Sequence, residues 1–284
     1  MLLVVLPAVG ANLVLEVHWW AVNSAPLAVW SIGLSVLLGL VAWKMRSATV
    51  GAVIAGAAIT ATMMFSTASF PYQPWRTAVI PVLAVLVLTS FATRLGRSSK
   101  ERMGLAEERH GRVASQVAAN LGIAALVSSE VVQSWMTDHH LIVQAGLAQM
   151  LVFAPALAAL AEAAADTVSS EIGQVMGGRP LMITTLKHVE PGTDGAISLA
   201  GTFAGAIAAG IVAAAGAWAL HGSATLLALS WAGSVFGLFF DSLLGATLEQ
   251  RGWLNNDLVN FLSTASAAAF ALGVLALLPH PGIG

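Results

Sequence analysis

Nine apolar runs, at about 2–20, 27–43, 48–68, 77–93, 113–134, 141–161, 196–219, 223–244 and 258–279, take up most of this 284-residue sequence. A bilayer core of about 30 Å is crossed by roughly 20 mostly apolar residues in a helix. Lipid offers no partner to a backbone N–H or C=O, so only helices and closed barrels can cross it. The alternating pattern of barrel strands is absent. The fold class expected is therefore all-α: one polytopic transmembrane domain over residues 1–284, with about nine transmembrane helices. Charge agrees, because 9% charged residues is far below the roughly one quarter of a soluble chain and cannot clothe a water-facing surface. There is no cysteine, which excludes disulfides, thiolate metal sites and cysteine nucleophiles. The first twenty residues lack a basic leading segment and end in Glu16, His18, Trp19 and Trp20. They read as a first span with interfacial tryptophans rather than as a cleaved signal peptide.

The 12 Lys and Arg residues set an expected orientation. Lys44 and Arg46 follow the second run. Arg94, Arg97, Lys100, Arg102, Arg109 and Arg112 fall in a basic loop at 94–112, and Arg179, Lys187 and Arg251 in later loops. With alternating spans and a cytoplasmic N-terminus, all of these face the cytoplasm and only Arg76 lies outside, as the positive-inside rule demands.

Polar groups are costly within a bilayer and mark sites where they cluster. Four clusters fall on the expected cytoplasmic side. Arg112, Gln116 and Asn120 recur at i, i+4, i+8 and form one helical stripe. Alone, such a stripe equally suits a snorkelling arginine with interhelical hydrogen bonds. Glu162, Asp166 and Glu171 follow the sixth run. Glu162 and Asp166 share a face, whereas Asp166 and Glu171 diverge by about 140° on an α-helix and need not serve one ion. Carboxylates without thiols or clustered histidines suit a hard cation such as Mg²⁺. The third cluster runs from Lys187 through Pro191, Gly192, Thr193, Asp194 and Gly195 to Ser198. It is a glycine-broken turn feeding a helix, whose amides, with Lys187, can cradle an anion. As a bare pattern it is weak, since Gly and Thr occur at many loop-to-helix junctions. The fourth comprises Asp241, Ser242, Gly245, Thr247 and Glu249, followed by Asn255, Asn256 and Asn260. Two acidic patches, a possible phosphate cradle and a basic loop on one membrane side together suggest a metal–polyphosphate site.

Other residues carry less. Gly201 and Gly205 are expected to form a helix-packing face. Asp138, His139 and His140 fall on the outer side as solvated loop, and Glu16 and Glu130 receive no role.

In this order the clusters resemble an integral membrane family that includes the phytyl-phosphate kinases of plants and cyanobacteria and an animal transmembrane relative. The matching stretches are Arg112-x3-Gln116-Val-x2-Asn120, Ala165-Asp166-Thr167-x-Ser169-Ser170-Glu171-Ile-Gly173 and Pro191-Gly192-Thr193-x-Gly195-x2-Ser198-x2-Gly201-Thr202. To these add Gly233-Ser234-x6-Asp241-Ser242-Leu-Leu-Gly245-Ala-Thr247 and Leu254-Asn255-Asn256-x3-Asn260-Phe261, with Ser90-x2-Thr93-Arg94 and Lys100 before the loop. The likeness covers roughly 85–280; Asp194, Ala196 and Glu249 depart from it. More faintly, Asp166-Thr-x2-Ser-x-Ile-Gly173 followed by Lys187 and a Gly-rich turn looks like the dolichol kinase and phosphatidate cytidylyltransferase group, whose members use CTP.

The resemblance implies a prenyl-phosphate kinase of the cytoplasmic membrane of a prokaryote, with its site facing the cytoplasm. It would move a phosphoryl group from a nucleoside triphosphate, CTP ahead of ATP, to a membrane-embedded prenyl monophosphate. No nucleic acid is an expected partner. It implies that Asp166, Glu171 and Asp241, with Glu249, hold Mg²⁺. The amides around Gly192, Thr193, Gly195 and Ser198, with Lys187, would cradle the triphosphate. Arg112, Gln116, Asn120, Ser242, Asn255, Asn256 and Asn260 would grip the acceptor phosphate or the nucleotide. Two other classes use similar groups: an ion-coupled transporter or flippase, and a cytidylyltransferase that forms a CDP-lipid and releases pyrophosphate.

Overall fold

The computed structural model describes residues 1–104, 111–139 and 146–278; Arg109 and His140 lie outside the described residues. Among the described residues the regular structure is helical apart from one two-residue strand pairing and two isolated bridges. In chain order the helices are α1 (Leu2–Asn23), α2 (Ala25–Lys44), α3 (Val50–Ser66), α4 (Val79–Arg94), α5 (Arg97–Met103), α6 (Ala114–Ser128), α7 (Glu130–Asp138), α8 (Ala154–Met176), α9 (Leu199–Ala219), α10 (Ala224–Leu244) and α11 (Asn256–Leu277). Several begin where a short polar side chain satisfies an orphan amide. Thr49 accepts from the Ala52 amide, Ser198 from Gly201, Ser223 from Leu226 and Asn255 from Leu258.

Six helices among the described residues are long and apolar enough to cross a membrane, and up to eight spans result if each of two bent pairs counts as one. The bent pairs are α4 with α5, at 58°, and α6 with α7, at 54°. Gly96, at φ 63, turns the chain between the first pair. Between the second, Ser129 is extended, ends α6, and caps α7 by accepting from the Val132 amide. The run expected at 48–68 forms α3, whose 17 residues sit at the lower limit of a crossing. Part of the 94–112 segment, expected as loop, is the helix α5.

One boundary moves decisively. The sixth span was expected to end at residue 161, yet α8 runs from Ala154 to Met176, preceded by a 3-10 stretch at Gly146–Phe153. Glu162, Asp166 and Glu171, expected at the helix end, therefore lie inside α8, which continues to Met176. The reason is that α8 is the hub of the molecule and packs against α4, α6, α9, α10 and α11. A helix enclosed by other helices has no lipid face to keep apolar, so it tolerates acids wherever they line a cavity.

Small residues permit this enclosure. Ala158, Ala159, Ala161, Ala164 and Ala165 are fully buried. A Cβ on Gly205 of α9 would stand 2.7 Å from the Ala165 carbonyl oxygen, and one on Gly237 of α10 would stand 2.6 Å from Cγ of Glu162. Gly201 would similarly meet the Ser169 carbonyl at 2.5 Å, so the Gly201–Gly205 stripe is a packing face as expected. These contacts run α9 antiparallel and α10 parallel to α8. Large apolar side chains face outward instead, among them Leu3, Val22, Phe203 and Leu277.

Candidate phosphate and cation site

The segment between α8 and α9 folds back on itself through an antiparallel pairing of Leu181–Met182 with Ala196–Ile197. Its glycine turn then docks on α10, which ends in a π-helical turn at Gly245–Glu249. Gly192 (φ 86) and Gly195 (φ 76) are both left-handed, a conformation that glycine adopts without steric cost. A Cβ on Gly195 would lie 2.3 Å from the Ala246 amide nitrogen, so this turn and the π-turn touch backbone to backbone. Gln250 adds a clamp by donating from Nε2 to the Asp194 carbonyl at 2.8 Å.

Between this turn, α8 and the end of α10 lies a cleft of about 200 Å³, lined by Asp166, Ser169, Ser170, Gly192, Thr193, Gly195, Ser198, Asp241, Ser242, Gly245, Glu249 and Asn256. Some of these side chains also serve the local fold. The Thr193 hydroxyl donates to the Glu190 carbonyl at 2.7 Å, and Ser242 to Leu238 at 3.3 Å.

A second cavity of about 140 Å³ adjoins it and shares Asp166, Ser170, Gln174 and Asn256. Its own wall brings in Arg112, Gln116, Asn120, Thr167, Glu171 and Asn260. Arg112 is fixed by its backbone, since its amide donates to Ser47 at 3.0 Å and its carbonyl accepts from Thr49 at 2.9 Å. Its guanidinium donates to the Thr167 hydroxyl at 3.3 Å. Gln116 caps α6 by accepting from the Val113 amide at 2.9 Å, and Asn120 donates to the Gln116 carbonyl at 2.8 Å.

Acids gather where the two cavities meet. The carboxyls of Asp166 and Asp241 interact directly with each other. Beneath them lies Glu162, 1% exposed, and Ser263 sits beside both Glu162 and Asp241. Glu249 stands near Asp194 and Asp166 at the cleft's outer side. Oε1 of Glu162 and Oδ2 of Asp241 are buried and have no hydrogen-bond partner among the described residues. Buried oxygens of this kind are rare unless something satisfies them. Among the described residues no three His, Asp or Glu side chains form a ready-made metal cage. The paired aspartates thus fit an ion that takes one or two carboxylates and keeps water and phosphate oxygens for its other positions, as Mg²⁺ does.

Three expected residues are placed elsewhere. Glu171 lines the second cavity, but its carboxylate is engaged in a buried ion pair with Lys100. The same ammonium donates to the Ala92 and Thr93 carbonyls at the end of α4. The chain itself thus supplies the cation for which a metal was expected. Lys187 is exposed at the tip of the fold-back and lines neither cavity, because its segment turns away to form the strand pairing. Asn255 spends its side-chain oxygen capping α11 at 3.0 Å and also lines neither cavity. Sequence reasoning placed Glu162 in the acidic cluster but gave it no role, and it left out Ser263. Glu162 stood one turn before Asp166, and Ser263 stands seven residues beyond Asn256, two turns along the same stripe, so the signal was in the spacing.

The basic residues separate between the two ends of the molecule. Arg94 donates to the Met45 carbonyl at 2.8 Å, Lys100 pairs with Glu171 and Arg112 meets Thr167, all at the site's end. Arg76 instead contacts Trp218, carbonyl and ring, at the far end of α9.

Comparison with known proteins shows a match to the family described as Integral membrane protein DUF92 over residues 33–268. The uncharacterized membrane protein sll0875 of Synechocystis is 33% identical over 70% of this chain and 74% of its own length. The uncharacterized membrane protein MJ0933 of Methanocaldococcus jannaschii is 41% identical over 38% of this chain and 45% of its own. Protein VTE6, chloroplastic, of Arabidopsis thaliana is 29% identical over 67% of this chain and 56% of its own length. No solved structure matches.

Proposed function

The chain belongs to the DUF92 family of integral membrane proteins, and from that premise we propose that it is a prenyl-phosphate kinase. It transfers the terminal phosphoryl group of a nucleoside triphosphate, CTP in preference to ATP, to a prenyl monophosphate in the membrane. One observation carries the reading: two polar cavities meet at Asp166, one bounded by a glycine turn and the other by Arg112 and amide side chains. That is the arrangement required to face a triphosphate with a second phosphate.

In this reading the glycine turn and the start of α9 hold the triphosphate, with Thr193 and Ser198 at its edge. Asp166 and Asp241 would hold Mg²⁺, which would supply charge neutralisation for the phosphates. Glu162 and Ser263 support that pair from below, while Glu249 lies at the outer side. Arg112, Asn120, Asn256 and Asn260 orient the acceptor phosphate. One of its oxygens bonds to the terminal phosphorus as the bridging P–O bond to the nucleotide breaks, giving a nucleoside diphosphate and a prenyl diphosphate. Such transfer needs alignment and charge neutralisation more than a covalent nucleophile. Lys187 and Glu171 have no part in the step. The site's end, which carries the clustered basic residues, faces the cytoplasm, where nucleotides are available. In this reading the N-terminus lies inside.

The test is product analysis with purified protein in micelles, supplied with Mg²⁺, CTP or ATP, and prenyl monophosphates of several lengths. Nucleoside diphosphate together with prenyl diphosphate supports the kinase. Pyrophosphate release would make it a cytidylyltransferase, and no turnover with any pair would favour a transporter.

A further inference from the structure

A cavity of about 480 Å³ lies beyond Arg112, larger than either part of the site just described. It is bounded by the α2–α3 turn and by α4 and α5, and it is lined by Arg46, Arg94, Arg97 and Arg112 against one carboxylate, Glu101. Arg97 already pairs with Glu101 at 3.1 Å, and Arg46 forms no ion pair among the described residues. Among the described residues, the guanidinium groups that line this cavity outnumber its carboxylates. It opens into an apolar crevice of about 100 Å³ between α2, α3, α4 and α6, walled by Leu38, Ala42, Val53, Gly56, Leu86 and Leu121. The two share Ser47, Leu86, Thr89 and Arg112, and the crevice shares Arg112 and Asn120 with the second cavity of the site. Arg112 therefore borders all three spaces. Along α3 the crevice runs from Ala52 to Thr60, about 12 Å at the rise of a helix.

An arginine-lined mouth over a narrow apolar slot matches an amphiphile with one chain and a phosphomonoester head. We infer that this is how the acceptor reaches the site, an inference that rests on the kinase reading. The chain lies in the α2–α3–α4–α6 crevice, Arg46 and Arg94 draw in the phosphate, and Arg112 hands it to the second cavity beside Asp166. Fork-shaped guanidinium groups suit a phosphate head. The small volume of the slot suits one chain rather than the two of a phospholipid. Gly56 keeps it open: a Cβ there would meet only Val117, at 3.6 Å, whereas across the crevice a Cβ on Gly39 would meet Val53 at 2.9 Å.

The experiment uses the full chain in micelles, with phytyl monophosphate as the long probe and dimethylallyl monophosphate as the short one. Binding is measured without nucleotide and turnover with it. Arg46→Gln should raise Kd and KM for phytyl monophosphate about tenfold, while KM for the nucleotide stays within about twofold. Arg46→Lys should recover most of that loss. Gly56→Leu should weaken phytyl monophosphate about tenfold and leave dimethylallyl monophosphate within about twofold. Inorganic phosphate and a two-chain phosphatidic acid should displace the phytyl probe poorly. If wild-type protein phosphorylates phytyl monophosphate and both variants keep its KM, the inference falls and the kinase reading stands. Equal displacement by inorganic phosphate or by phosphatidic acid overturns it as well. A wild type that neither binds nor converts the probe removes the kinase reading and this inference with it.

Discussion

α1 and α8 look alike in sequence, at 22 and 23 residues, each largely apolar and each with a glutamate in its buried set. Their surroundings differ: 17% of α1's most apolar window is buried, against 83% for the span that contains α8. So do their glutamates. Glu16 accepts from Nε1 of Trp20 at 3.0 Å and from the Ser66 hydroxyl at 3.4 Å. Glu162 has an oxygen with no partner among the described residues, and so does Asp241 beside it. A buried carboxylate whose partners all come from its own chain is explained by the fold. Glu162 and Asp241 have Ser263 beside them, yet each leaves one buried oxygen unsatisfied, which a group from outside would complete. In the proposed reading, the Glu16 end is structural and the Asp166–Asp241 end carries the chemistry.

The hardest blow to that contrast would come from the aspartate pair. Asp166→Asn and Asp241→Asn should each lower turnover by about a thousandfold or more, and the double variant should be little worse than the poorer single one if both hold the proposed ion. Turnover against Mg²⁺ concentration checks this; losses that multiply, or activity in excess chelator, would remove the shared ion. Next in size, Lys100→Met should cost about 3–5 kcal/mol by stranding Glu171, and Glu171→Gln in the same chain should recover most of it. Thermal unfolding in micelles reads both. A neutral Lys100→Met would mean that another cation holds Glu171, restoring the metal role expected from sequence. Gly195→Val should cost about 1–3 kcal/mol through backbone strain and should sharply lower turnover as the turn is pushed off Ala246. Full turnover would reduce the turn to a connector. The smallest effect separates the two glutamates directly. Glu16→Gln keeps a hydrogen-bonding side chain for Trp20 and should change stability by at most about 1 kcal/mol with turnover intact. Glu162→Gln should leave the protein folded and slow it about tenfold. Equal effects would dissolve the comparison.

Much of this was legible in the sequence because lipid is an unforgiving solvent. Apolar length located the helices, and the Arg112–Gln116–Asn120 stripe and the Asp166 and Asp241 segments converge as their spacing implied. What failed did so for physical reasons. Hydropathy reads exposure to lipid, so the sixth apolar run stops at 161 although α8 continues, enclosed, through its acids to Met176. The Lys100–Glu171 pair joins positions 71 apart in sequence, and no local pattern announces such a contact. Lys187 and Asn255 were judged by residue type and nearness to a motif, but a strand pairing and a helix cap direct them elsewhere.

The alanine and glycine seams around α8 have an evolutionary consequence. With backbones this close, a side chain added at Gly201 or Gly205 of α9 or at Gly233 or Gly237 of α10 meets main-chain atoms and has nowhere to go. That half of the protein can drift little in sequence without loss. The α2–α3 side meets its neighbours through larger, compressible side chains and retains open volume beside Gly56. Under the kinase proposal, relatives that take acceptors of different lengths should therefore diverge mainly in α2 and α3, with the chemistry inherited unchanged and the choice of lipid free to vary.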